Sequence, residues 1–343
     1  MHRINRRQLL AYGVAATALH TLPVRASCYK DTILNPIIFR RADPWITRDD
    51  KGRYLFTASV PRYDRIVLRR ADDIGDLAWA EERTVWKRPA QGRMGGHIWA
   101  PEIHSIDGRW YIYFAAGNSD EVFRIRTYVL ACSGSDPLSD DWQLLGQLQT
   151  PWDTFTLDCT SFRHRGVNYL CWAQHEPGID SNSNLYLAPI DEPTRLAAEP
   201  SRLSVPTFDW EIRGEKVNEG PALLKHDDRL FLTYSASATD ARYCMGMLSA
   251  TDSADIMDPS SWSKSAEPVF RSSVEHQVFG PGHNSFTTDQ CGNDLLVYHA
   301  RSYERIVGDP LYDPNRHTRV QRIAFTPDGT PEFGEPVAEG PLD

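Results

Sequence analysis

The apolar positions of this chain fall in short runs separated by turns. No stretch sustains a 3.6-residue period with caps at both ends, so long helices are not expected. Ile66–Arg70, Arg126–Leu130, Asn184–Ala188, Tyr243–Leu248 and Arg319–Ala324 read as strands in equivalent places. Turn chemistry punctuates them at Asp50-Lys51-Gly52, Asp107-Gly108, Asp227-Asp228 and Asp328-Gly329. Trp79, Trp142 and Trp262 mark outer strands that follow three of these runs.

One segment of the pattern recurs five times: RADPWI…GRYLFTAS, IWAPEI…GRWYIYFAAG, TLDCTSF…GVNYLCWAQ, NEGPALL…DRLFLTYSAS and PGHNSF…NDLLVYHA. Each copy begins with mixed character, turns, and continues as a strand rich in Tyr, Phe, Leu and Val. The anchor positions are Asp43, Ala100, Asp158, Glu219 and His283, at spacings of 57, 58, 61 and 64. A repeat of that length built from short strands predicts an all-β fold, a five-bladed β-propeller. The blades are expected at roughly 33–90, 91–149, 150–208, 209–275 and 276–340, one domain over 33–340. Ile33-Leu34 and the C-terminal tail are expected to meet in closing the ring. The first strand of every blade lines the axis, so residues far apart in sequence converge. Asp43, Asp158 and Glu219 would gather three acids at one channel mouth, the raw material for acid/base chemistry.

The 343 residues, 41% hydrophobic and 11% aromatic, are ample for such a core, and no linker or low-complexity tract divides them. Residues 1–26 differ. Arg3, Arg6 and Arg7 precede the apolar run Leu9–Leu22, and Val24-Arg25-Ala26 offers a small-residue cleavage site. This reads as an export signal, of the twin-arginine type by Arg6-Arg7, and predicts a secreted or periplasmic protein. The apolar run is too short and too Ala-rich for a membrane span. Removing the leader with its four arginines leaves 33 basic against 46 acidic residues, a net −13. So acidic a surface argues against nucleic acid and against a membrane as partner, and suits a neutral one such as a sugar. The six cysteines show no CxxC spacing, so neither a zinc nor a redox site is expected. Cys159 and Cys171 flank the Arg165-Gly166 turn and are read as free, buried residues.

Asp43 precedes Pro44, which removes a backbone donor and stiffens the chain beyond the acid. An Asp before Pro ordinarily caps a turn; the repeat position argues for chemistry. Glu219 is followed by Gly220-Pro221, a fixed backbone without side-chain crowding. A proton donor near neutral pH needs a raised pKa, and Asp158 is the candidate neighbour. His283 takes the fifth-blade anchor, where it can line the channel, bind an ion or water, or pack. Arg319 is a candidate to hold a sugar hydroxyl or steady a carboxylate, with Arg301 behind it. Trp99, with Ala100 beside it, offers a flat face for a sugar ring; the competing reading is a core Trp between blades, and Trp45 shares that ambiguity.

These residues resemble glycoside hydrolase family 43 over nearly the whole chain after the leader. ADPW with Asp43, LDCTSF with Asp158 and NEGPALL with Glu219 agree with that family in order and spacing. The resemblance implies an inverting hydrolase of arabinose- and xylose-containing polysaccharides. Asp43 would be the general base, Asp158 would raise the pKa of Glu219 and orient it, and Glu219 would be the general acid. GPGHNSF matches the family's fifth-blade histidine, implying a calcium or sodium ion in the channel near His283 and no required cofactor. HTRVQ resembles the family's substrate-contacting arginine strand and points to Arg319. GGHIWAPEIH, VNEGPALLKHDDRLFLTYSASATDARYCMG and GDPLYDPNRHTRVQ look like the exo-α-L-arabinofuranosidase branch, whose partner is arabinose-containing plant cell-wall material. The rivals are a β-xylosidase or endo-arabinanase on the same fold, and a non-catalytic sugar-binding propeller.

Overall fold

The computed structural model describes residues 33–342; the expected leader, 1–26, lies outside them. Five antiparallel sheets follow one another along the chain. Their innermost strands are Ala42–Arg48, Ile98–Ile106, Thr156–His164, Asn218–His226 and Phe279–Thr288. These contact one another in ring order, the fifth against the first, which is the five-bladed β-propeller. The expected third strands are present as Arg65–Ala71, Arg126–Cys132, Asn184–Glu192, Cys244–Thr251 and His317–Arg322. Trp142 opens an outer strand and Trp262 borders one, but Trp79 ends a short 3-10 turn and stands 87% exposed.

Each strand is apolar on both faces because each sheet is covered on both faces. Leu55 packs with Ile66, Ile103 and Ile112 between blades one and two, while its neighbours Tyr54 and Phe56 pack with Leu295 and Val297 of blade five. Five such clusters fill the five gaps between blades. The same alternation separates Cys159 and Cys171, which belong to different clusters and are free and buried.

Blade five supplies three strands of its own. Its outer edge is covered by the beginning of the described chain. Ile38 pairs with Thr318, and the Asn35 amide group bonds both the N–H and the carbonyl of Val320. Leu34-Asn35 then pairs with Gly340-Pro341. The two ends do meet, and the first segment also serves as the last blade's fourth strand.

Candidate active site

All five inner strands break register at an equivalent place, and the fifth breaks once more, between Phe279 and Gly282. The ladder skips between Ala42 and Trp45, Trp99 and Glu102, Leu157 and Thr160, Glu219 and Ala222, and Gly282 and Ser285. A β-bulge of this kind re-aims the side chain it carries. The residue after the last paired one adopts a left-handed backbone each time: Asp43 (φ 53°), Ala100 (43°), Asp158 (52°), Gly220 (55°) and His283 (45°). For a residue with a Cβ that conformation costs roughly 1–2 kcal/mol, and four of the five carry one. Strain repeated at this station in four of the five blades points to a functional site.

Glu219 is therefore not at the station of Asp43 and Asp158; Gly220 is. Glu219 stands one residue earlier, in register with Trp99 and Leu157. A bulge brings both stations to the same cavity, of about 300 Å³, which Asp43, Trp99, Ala100, Leu157, Asp158, Glu219 and His283 all line. Gly220 is needed where it stands: a Cβ there would lie 3.1–3.4 Å from His283, and its N–H donates to Asp158 Oδ2 at 3.0 Å.

The three acids have unlike surroundings. Asp43 Oδ1 lies 3.3 Å from Arg316 Nη1 and 3.5 Å from His283 Nδ1. Its backbone N–H donates to His299 Nδ1, which fixes that imidazole as an acceptor. Burial pushes the Asp43 carboxyl up, but Arg316 and His283 outweigh it and hold it well below the usual carboxylate range. Asp158 is raised well above that range by burial, then by Glu219 and Asp43, against the Gly220 N–H. Glu219 is pushed up to about 7 by burial and by Asp43, against a hydrogen bond from Tyr243 Oη to Oε1 at 2.8 Å. Glu219 thus helps to raise Asp158, and the two titrate as a linked system.

Arg319 is not in the cavity. It lies fully buried in the third strand of blade five, where Nη2 donates to Ser302 Oγ and Glu339. The arginine that reaches the acids is Arg316, just ahead of that strand. Strand alternation turns Arg319 into the blade, whereas Arg316 comes from a loop free to cross the channel mouth. Arg301 is likewise buried, and it ties down that loop through Asp313 and the Pro310 carbonyl. Trp45 packs on His104 and donates to the Ile103 carbonyl; it is core, not wall. Trp99 is both, stacked on His97 while lining the cavity. Ala100 lines it too, its N–H held by Ser59 Oγ.

The loop 302–316 closes one side of the mouth. Leu311 lines the cavity, and its carbonyl accepts from Tyr63 Oη. Tyr312 Oη meets His97 Nε2, and Arg316 Nη2 donates to Tyr63 Oη. Phe123 and Phe155 add apolar wall, Asn182 and Glu215 polar wall. Arg316, Tyr243, Tyr63 and His299 were not singled out by sequence. The length of the loop that ends in Arg316 was the available signal.

Among the described residues no group of three or more His, Cys, Asp and Glu is placed to hold a metal ion. His283 Nε2 is buried without a partner. An ion at that nitrogen would have to draw its remaining ligands from water, since hard cations bind chiefly through oxygen.

A five-bladed propeller whose axis opens on three carboxylates with divided proton affinities, Asp43 and Asp158 buried and Glu219 half-buried, is the working part of a glycoside hydrolase. The chain belongs to the glycosyl hydrolases family 43, whose model matches residues 33–331. It is 52% identical over 333 residues to an extracellular exo-α-(1→5)-L-arabinofuranosidase of Streptomyces avermitilis, covering 97% of this chain and 68% of that protein. It is 51% identical over 309 residues to the enzyme of the same description from Streptomyces chartreusis, covering 89% and 94%. The crystal structure of an α-L-arabinofuranosidase from Lactobacillus brevis superposes with a TM-score of 0.87 at 50% identity, covering 90% of this chain and 98% of that one. Among the described residues no helix is long and apolar enough to cross a membrane.

Proposed function

We propose that the protein is an exported, inverting exo-α-L-arabinofuranosidase that removes terminal arabinofuranose from α-(1→5)-linked arabinan or its oligosaccharides. The observation that carries exo action is the pinned loop 302–316. With Leu311, Tyr312 and Arg316 held against blades one and two, one side of the channel mouth is walled. A walled mouth admits a chain end, whereas an endo-acting cleft must let the chain pass through. The two extracellular relatives support both the linkage and the location.

Asp43, kept ionised by Arg316, would take a proton from the attacking water. Glu219, protonated near neutral pH, would give its proton to the leaving glycosidic oxygen. Burial and the Asp43 charge would keep Glu219 protonated, and Asp158, accepting from the Gly220 N–H, would fix the strand that carries it. Trp99, Phe123 and Phe155 would pack on the sugar faces. A calcium or sodium ion would take His283 Nε2 and otherwise water, adding positive charge and rigidity to the channel.

The test is product release from linear α-1,5-arabinan and from arabinoxylan, wild type against Glu219→Ala. Arabinose as the sole product from linear arabinan, lost in the variant, is expected. Oligosaccharides from arabinan would overturn exo action. Release from arabinoxylan alone would move the substrate to side chains, and release of xylose would make the enzyme a xylosidase.

A further inference from the structure

Tyr243 stands just ahead of the third strand of blade four, yet it fills a place in blade five. The residues in register with Glu219 one step before the bulge are Ala42, Trp99, Leu157 and, in blade five, Gly282. At Gly282 the missing side chain is replaced by the Tyr243 ring. A Cβ on Gly282 would lie 2.6 Å from Tyr243 Cε1 and 2.7 Å from Cδ1. The ring lies parallel to His299, 7° apart at 5.7 Å between centroids. His299 in turn holds the backbone N–H of Asp43. Tyr243 is 2% exposed, and its Oη donates to Glu219 Oε1 at 2.8 Å. Burial, Glu219, Asp158 and Asp43 all push the phenol up, so it stays a donor.

We propose that Tyr243 is a positioning residue for the general acid: its hydroxyl holds Glu219 Oε1, turning Oε2 and its proton to the leaving oxygen, and steadies the carboxylate left behind. The phenol keeps its own proton throughout; the proton that moves is the one on Glu219. A hydrogen bond to a carboxylate is stronger than one to a neutral carboxyl. The contact therefore strengthens as the proton departs, which lowers the barrier and not merely the ground state. The ring contacts with Gly282 and His299 supply the rigidity that such a role requires.

The inference rests on Glu219 being the acid, so the experiment carries that control. Tyr243→Phe keeps the ring and removes the hydroxyl. Its kcat and KM are measured on α-1,5-arabinobiose, whose leaving alcohol needs protonation, and on 2,4-dinitrophenyl α-L-arabinofuranoside, whose leaving phenolate does not. The expected result is a fall in kcat of about ten- to a hundredfold on arabinobiose, less than about threefold on the aryl substrate, and an unchanged KM. Gly282→Ala, which pushes the ring aside, should show the same split. Equal losses on both substrates, or no loss on either, overturn the proposal. If Glu219→Ala also loses equally on both, the assignment of the acid fails; if it shows the split and Tyr243→Phe does not, Tyr243 alone is wrong.

Discussion

Asp43 and Glu219 line one cavity, and their surroundings treat a carboxyl in opposite ways. Burial raises both. At Asp43 a guanidinium and an imidazole reverse the effect. At Glu219 the contact is a neutral hydroxyl, and the pull of Arg316 is met by the negative charges of Asp43 and Glu215. One residue is left ionised and the other protonated in the same pocket. The balance of charge separates base from acid: Arg316 and His283 outweigh burial at Asp43, whereas Arg316 does not outweigh it at Glu219.

Deleting either carboxyl is the coarsest way to break that contrast. Asp43→Ala and Glu219→Ala should each lose about a thousandfold or more in kcat on arabinobiose, with unchanged circular dichroism. They should part on the dinitrophenyl substrate: Glu219→Ala recovers much of its rate and Asp43→Ala does not. Equal recovery would mean the roles are misassigned.

Arg316→Leu attacks the contrast through the cation. We expect kcat/KM to fall by about a hundredfold, since both Asp43 and Tyr63 lose their anchor. The acid limb of the pH profile should move to higher pH, because the Asp43 carboxyl is no longer held down. A fixed limb would show that Arg316 serves the loop and not the base.

The wild-type profile of kcat/KM sharpens the same point. Activity should fall on the alkaline side near pH 7, where Glu219 loses its proton, and on the acid side only well below the ordinary Asp range. The stability signs follow. Glu219 has a raised folded pKa, so its contribution is full below its ordinary 4.5 and is lost as pH rises through about 7. Asp43 has a depressed one, so its contribution is present above 3.8 and lost as pH falls through the folded value. Glu219→Gln should therefore gain in Tm relative to the wild type between pH 5 and pH 8. A constant difference would refute the raised pKa.

The smallest effect is expected at Gly220. Gly220→Ala places a Cβ in the left-handed region and against His283, and should cost about 1–2 kcal/mol, read as a drop of a few degrees in Tm. No drop would mean that the bulge relaxes.

The repeat was legible because each blade buries both faces of its strands, and so repeats both its apolar runs and its turns. The bulge was not. Moving the fourth anchor from Glu219 to Gly220 changes the spacings from 57, 58, 61 and 64 to 57, 58, 62 and 63. Blade length varies by more than that, so spacing alone does not reveal a one-residue offset. A bulge tolerates it, which is why the acids still converge. HTRVQ points to Arg319 because that residue sits on a strand, where a motif can be matched; Arg316, just ahead of the strand, gives no such signal. What matters for Asp43 is a loop conformation fixed by Tyr63 and His97, distant in sequence, and by Arg301 at the loop's own start. Tyr243 was hidden for a similar reason: it occupies a vacancy left by a glycine of another blade.

The pairing of Asn35 with Val320 joins residues 285 apart. Bringing such ends together costs roughly 5 kcal/mol of chain entropy from the length-dependent part alone. An open row of blades would melt from its ends inward, each repeat answering to its neighbour. The latch removes the ends. Every blade then has two neighbours, and local fraying becomes a property of the entire ring. During synthesis the segment at Leu34-Asn35 emerges long before its partner at Gly340-Pro341, so the ring shuts only after the fifth blade has been made.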